Sequence, residues 1–152
     1  MANKEELNNF FVSCFNAILR SEERALETLT HGKLTVKEIH FIEAVFKTQA
    51  VGENCFSTIA KYLGVTVGTL TTSYNKLAAK GLFYKEQDKD DKRIFYILPT
   101  PLAKMIYNEH LAFHERMIDR VVKHLSDEEM KTLTESLKKL DEFFHFYKDY
   151  KQ

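Results

Sequence analysis

Three groups of residues in this chain are of types and spacings that could do chemistry. The first is histidine. Of six histidines, His110 and His114 stand four apart. On a helix that spacing puts both imidazoles on one face, where they can chelate a metal. His40 falls on another predicted helix. The second group is Cys14 and Cys55. Either could sense redox state if it were an accessible thiolate in electropositive surroundings. Cys14 falls on an apolar stripe and Cys55 near a helix start, so structural roles suit both better. The third group is a run of hydroxyl and amide side chains: Thr66, Thr69, Thr71, Thr72, Ser73 and Asn75, with Lys76 and Gly68 among them. A helix face meant only for water usually carries more Glu and Lys. Hydroxyls and amides can reach base edges and phosphates.

The elements that must position this run are legible in its flanks. Ile59, Ala60 and Leu63 fall on one face of a short helix, and Gly64 follows where a chain leaving a helix needs positive φ. Val65 is expected to plug the turn. A second helix starts near Thr66 and puts Leu70, Tyr74 and Leu77 on one side. Small residue, turn glycine and inner apolar residue come in the order a helix-turn-helix requires. Gly81 ends the second helix. Residues 82–86 then read as a strand, 87–92 as a charged tip and 93–98 as the return strand. Lys89, Lys92 and Arg93 sit where such a wing could enter a minor groove. A solvated hairpin tip would look similar, but its place directly after this helix pair favours nucleic acid.

Around this unit lie longer helices. Residues 3 to about 30 carry Leu7, Phe10, Phe11, Cys14, Ile18, Leu26 and Leu29 at helical spacing, a wide aromatic stripe that suggests burial against a partner as well as its own domain. His31-Gly32 should end that helix. Thr35 to Glu38 is a capping box opening a helix to about Ala50. After the wing, Thr100 and Pro101 start a long helix to about Leu125. Ser126 to Glu129 is a second capping box before the last helix. The expected fold is therefore mainly α with a small β-hairpin wing. Residues 35–98 form a winged helix-turn-helix, and 1–34 with 99–152 form a helical dimerisation region. Two-fold pairing of the end helices would set two recognition helices roughly 34–36 Å apart on a pseudo-palindromic double-stranded DNA site.

The chain has 152 residues and a formal net charge of zero, which by itself argues against DNA. The distribution argues the other way. Residues 55–98 hold seven Lys/Arg against four Asp/Glu, while both flanks are slightly acidic. So modest an excess means binding should depend on two copies acting together and on base contacts as well as phosphates. No run of about 18 apolar residues is present, so no membrane span is expected. Residues 1–9 do not read as a signal peptide, and two cysteines make no disulfide framework; a cytoplasmic protein is expected. No phosphate loop, G-x-S-x-G or H-E-x-x-H motif occurs, and an enzyme is not expected.

The order of elements, with Asp91-Lys92-Arg93 at the wing, resembles the MarR family of bacterial regulators over nearly the whole chain. Residues 37–45 (KEIHFIEAV) and 65–72 (VTVGTLTT), followed by Asn75-Lys76-Leu77 and Lys80-Gly81, resemble its fatty-acid-biosynthesis repressor branch. The resemblance implies major-groove contacts from Thr66, Thr69, Thr71, Thr72, Asn75 and Lys76, and wing contacts from Lys92 and Arg93. Many members of the family carry Arg where Thr72 stands, so an Arg–guanine contact is missing from that position. The branch implies repression of fatty-acid synthesis genes. Its implied corepressor is a long acyl chain on acyl carrier protein, with no required cofactor, and Phe10, Phe11, Phe15, Phe113, Phe143, Phe144 and Phe146 are candidates to line an acyl pocket or, more simply, dimer core. Zinc-sensing relatives use a histidine set that His40, His110 and His114 resemble, with Glu22 or Glu23 to complete it. The acyl-responsive branch has histidines where His110 and His114 stand too, without a known need for metal, which the resemblance implies as structural or positioning groups here. A third alternative is a winged helix that binds protein and no DNA.

Overall fold

α1 (Lys4–Thr30) is opened by Asn3, whose side-chain carbonyl accepts the Glu5 N–H at 3.1 Å. The computed structural model describes residues 3–149, with side chains described to residue 144; the expectation for Phe146 lies outside them. α1 closes on His31 and Gly32, both at positive φ (51° and 73°). α2 (Val36–Ala50) starts at the capping box read from the sequence: Thr35 Oγ1 accepts the Glu38 N–H at 3.3 Å, and Glu38 accepts the Thr35 N–H at 2.9 Å. α3 (Phe56–Leu63) ends on Gly64 at φ 66°. α4 (Val67–Ala79) is capped by Thr66, and Gly81 at φ 76° turns the chain into the wing.

The wing is β1 (Phe83–Gln87) paired antiparallel with β2 (Phe95–Pro99), Phe83 opposite Pro99 and Gln87 opposite Phe95. Both strands start later than the sequence suggested, and Arg93 and Ile94 lie outside β2. The cause is local. The Asp88 carboxylate accepts the N–H groups of Asp90 and Asp91, and the Asp88 N–H reaches the Ile94 carbonyl at 2.9 Å. A tip satisfied by its own carboxylates does not continue as a ladder.

Leu70, Tyr74 and Leu77 of α4 are buried as their spacing predicts. They meet Ile39, Ile42 and Val45 of α2, Ile59 of α3, and Leu82 and Ile97 of the wing in one core. Full burial of side chains of this size is worth roughly 1.5–3 kcal/mol each, which fixes the inner face of α4 and leaves its outer face for other use. Val65, expected to plug the turn, is 39% exposed instead. Its N–H bonds to the Ala60 carbonyl at 3.0 Å, so the backbone closes the turn without the side chain.

Two long-range ties hold the unit together. The buried Asn54 donates through Nδ2 to the Ile97 carbonyl at 2.8 Å, and the Ile97 N–H returns to the Asn54 carbonyl at 3.0 Å. Lys80, the last residue of the helix-turn-helix, reaches the Lys33 carbonyl at 2.8 Å and Glu38 at 2.7 Å.

α5 (Pro101–Val122) begins with Pro101 in its first turn, as expected, and α6 (Asp127–Asp149) with the Ser126–Glu129 capping box. The chain forms two compact units, 1–113 and 114–152. In the first, Phe46 stacks on Tyr107 at 4.3 Å, joining α2 to the start of α5. Its α1 leaves Phe10 and Phe15 exposed at 62% and 64%. In the second, Phe143 and Phe144 pack edge to face and stay exposed. No helix among the described residues is long and apolar enough to cross a membrane.

Candidate nucleic-acid interface and histidine cluster

Thr66, Thr69, Thr71, Thr72, Asn75 and Lys76 are all exposed on α4 or at its cap. Ser73 is the exception among the expected polar face, being half-buried. Thr66 has a structural duty as well: its Oγ1 accepts the Thr69 N–H at 3.1 Å and donates to Thr69 Oγ1 at 2.9 Å. Thr71 and Thr72 donate to the carbonyls of Val67 and Gly68 at 2.8 and 3.2 Å. The side chains of Thr69, Asn75 and Lys76 are likewise exposed, which leaves the outer face of α4 open to a partner.

At the wing tip, Lys89, Lys92 and Arg93 are exposed. Arg93 is oriented by Asp91, which accepts from Nε at 3.0 Å and Nη2 at 2.8 Å. Hydrogen bonding to that guanidinium holds the Asp91 carboxyl below the usual carboxylate range. Asp88 is held low by the backbone N–H groups of Asp91 and Asp90 and by the Tyr96 hydroxyl at 2.9 Å. The tip is a loop held by its own carboxylates, in which three cations stand beside three aspartates.

The histidines give a second constellation. His40 Nε2 lies 3.1 Å from Glu22 Oε1, and His110 Nε2 lies 3.8 Å from the same oxygen. Glu22 is 6% exposed and His110 6%. Of the two acids considered, Glu22 is the one that joins the set; a helix turns by about 100° per residue, so Glu23 points elsewhere. Glu43, not expected from sequence, comes within 3.6 Å of His110. Hydrogen bonding to His110, with help from Lys47 on the next turn, outweighs burial and brings the Glu43 carboxyl down to about 2. His114 stands one helical turn further along α5 and is half-buried. Tetrahedral zinc at bonds of about 2.0–2.1 Å would hold its ligand atoms roughly 3.3 Å apart. The Glu22 oxygen sits near that distance from the His40 nitrogen, at 3.1 Å, and farther from that of His110, at 3.8 Å.

The cysteines are separate from both places. Cys14 is half-buried on α1. Cys55 stands at the N-cap position of α3 without a side-chain capping bond; burial raises its thiol, but hydrogen bonds with Ser57 and Thr58 outweigh that and leave it below its ordinary value.

A cavity of about 450 Å³ opens between the end of α1 and the start of α5. It is lined by Leu29, Leu34, Leu82, Leu102, Met105 and Ile106, with Lys33 and Lys80 among the lining residues. None of the aromatic residues proposed for an acyl pocket lines it.

A helix-turn-helix with an exposed polar second helix, followed by a two-stranded wing whose tip carries Lys89, Lys92 and Arg93 beside Asp88, Asp90 and Asp91, defines a winged helix-turn-helix of the type used for nucleic-acid binding. The MarR family model matches residues 52–95, the turn, both helices and most of the wing. The structure of Streptococcus pneumoniae FabT in complex with DNA superposes with a TM-score of 0.86 at 28% identity, over 95% of this chain and 99% of that one. The Staphylococcus aureus MepR–DNA complex shares the fold, with a TM-score of 0.73 at 22% identity over 92% of this chain and 97% of that one. A Bacillus subtilis protein described as an uncharacterized HTH-type transcriptional regulator, YhjH, is 28% identical over 107 residues, 68% of this chain. That match spans 59% of YhjH.

Proposed function

We propose that the protein is a homodimeric, sequence-specific DNA-binding transcriptional repressor of the cytoplasm. It acts on a pseudo-palindromic operator of fatty-acid-biosynthesis genes and is tightened on DNA by long-chain acyl carrier protein. The observation that carries the reading is the outer face of α4, where Thr69, Thr72, Asn75 and Lys76 are exposed and make no core contact. The likeness to FabT, a fatty-acid-biosynthesis repressor solved on DNA, supports the branch. The apolar cavity beside Lys80 falls within the roughly 300–1,000 Å³ common for small-molecule sites and supports an acyl effector. The exposed aromatics of α1 support pairing of two copies.

A second reading is zinc-responsive repression. It is favoured by one observation, the buried Glu22 carboxylate facing His40 and His110. Two imidazoles and a carboxylate are a fitting donor set for zinc, and His114 is the further nitrogen that helical spacing offers. A bound ion there would fasten α1 to α2 and α5.

Fluorescence anisotropy on a palindromic promoter fragment at fixed salt separates these readings. Binding tightened by acyl carrier protein carrying a long acyl chain, and not by zinc, supports the first. Tightening by zinc that is lost in His110→Ala supports the second. Absence of specific binding under every condition would leave a winged helix that recognises protein.

A further inference from the structure

Gly68 stands in the first turn of α4, and nothing inside the protein asks for a glycine there. Its φ is not in the left-handed region, unlike that of Gly64 or Gly81. A Cβ at this position would meet only Thr66 Oγ1, at 3.9 Å, an ordinary contact. Glycine within a helix is destabilising relative to alanine. The chain therefore carries a weaker helix former at an exposed point where alanine would fit. Glycine in such a place suits a backbone that another molecule approaches closely.

The neighbouring side chains say what kind of surface that molecule meets. A Thr hydroxyl has one proton to donate. Thr71 donates it to the Val67 carbonyl, Thr72 to the Gly68 carbonyl and Thr66 to Thr69 Oγ1. Phosphate oxygens only accept, so these three hydroxyls are poorly set to bind the backbone of DNA. What they display is methyl groups and acceptor lone pairs. Val67, one turn before Thr71, adds an apolar side chain that is 47% exposed. In the major groove the partner of a methyl surface is the 5-methyl group of thymine, and the acceptors match the amino groups of adenine or cytosine.

We propose that the first two turns of α4 lie in direct van der Waals contact with base edges at Gly68, and that Val67, Thr71 and Thr72 read thymine methyls there. The inference rests on the DNA-binding reading and adds to it the base feature that is read.

The full-length protein is first used to select duplexes from a random library. Affinity is then measured for the selected duplex containing thymine and for the same duplex with deoxyuridine in each thymine position. Loss of about fourfold per contacted methyl is expected. The Gly68→Ala variant is measured in parallel. Its Tm should rise by about 2–4 °C, while its affinity for the selected duplex falls about tenfold or more, because a methyl is forced into a filled contact. Equal binding of the thymine and deoxyuridine duplexes overturns the methyl assignment, in wild-type protein and whatever the variant does. Unchanged affinity in Gly68→Ala overturns the close approach. Failure to enrich any sequence would instead overturn the DNA-binding reading beneath both.

Discussion

Asn54 is the residue whose replacement tests the architecture most directly. It is 7% exposed, and its Nδ2 donates to a carbonyl on the fully buried Ile97 of β2. Asn54→Ala removes the donor and leaves that carbonyl unsatisfied, at a cost of about 1–3 kcal/mol. For a chain of this size each kcal/mol lowers Tm by roughly 2–4 °C. A fall of about 2–12 °C by circular dichroism or calorimetry is therefore expected. Asn54→Asp sharpens the test. Ionised aspartate has nearly the same shape but no proton to donate, and it would set an anion against the Ile97 oxygen. It should destabilise at least as much as alanine near neutral pH. The effect on DNA is also directional. Freeing β2 from the turn before α3 should cost the contributions of Lys89, Lys92 and Arg93 while sparing α4, so affinity falls and its salt dependence becomes shallower. An Asn54→Asp protein that melts with wild type would refute the reasoning, since shape would then matter and donation would not.

Three further outcomes are expected. Glu43 titrates near 2 beside His110 and Lys47, against an ordinary value of 4.5; a depressed carboxyl stabilises above its unfolded value, so that contribution should be present above about pH 4.5 and lost as pH falls towards 2. With its side chain 24% exposed and solvent-screened, the contribution should be about 1–2 kcal/mol, visible as a steeper acid limb in wild type than in Glu43→Gln. Thr66→Ala should cost about 1 kcal/mol through the lost cap, whereas Thr66→Asp should keep the cap and stability in urea titrations but weaken DNA binding by placing a charge near phosphate. Phe15→Asp on the exposed stripe of α1 should shift the protein from dimer to monomer in sedimentation equilibrium, and an unchanged mass would remove α1 from the pairing surface.

Much of this architecture is written in local patterns. Thr35 with Glu38 and Ser126 with Glu129 are capping boxes because their partners are three residues apart, and both form. Gly64 and Gly81 mark turns because only backbone geometry is at stake, and Leu70, Tyr74 and Leu77 reveal the buried side of α4 by spacing alone. Other features depend on groups far apart in sequence. Asn54 and Ile97 are 43 residues apart, and no local pattern distinguishes Asn54 from an ordinary turn residue. The choice of Glu22 over Glu23 depends on how α1 is rotated against α2. Glu43 has a lysine one turn on and no local mark of a wider role; its nearness to His110 is a tertiary fact. The late start of β2 was foreshadowed by three aspartates at the tip, whose capacity to satisfy backbone N–H groups competes with strand pairing. For the candidate DNA face, residue types and exposure were legible, whereas the hydroxyl protons of Thr71 and Thr72 needed the helix to be built before their acceptors were known.

Glu38 closes the capping box of α2 with one oxygen and receives Lys80 with the other. One carboxylate thus joins the first turn of α2 to the residue that ends α4, across 42 positions of sequence. Fraying at either end must break the same group free, so the two ends are expected to open as one event. Native-state hydrogen exchange would then find the early amides of α2 and the late amides of α4 sharing a single opening free energy. The candidate reading helix would be held to its scaffold as one cooperative unit, with its mobility confined to the first turn, where Thr66 alone provides the cap.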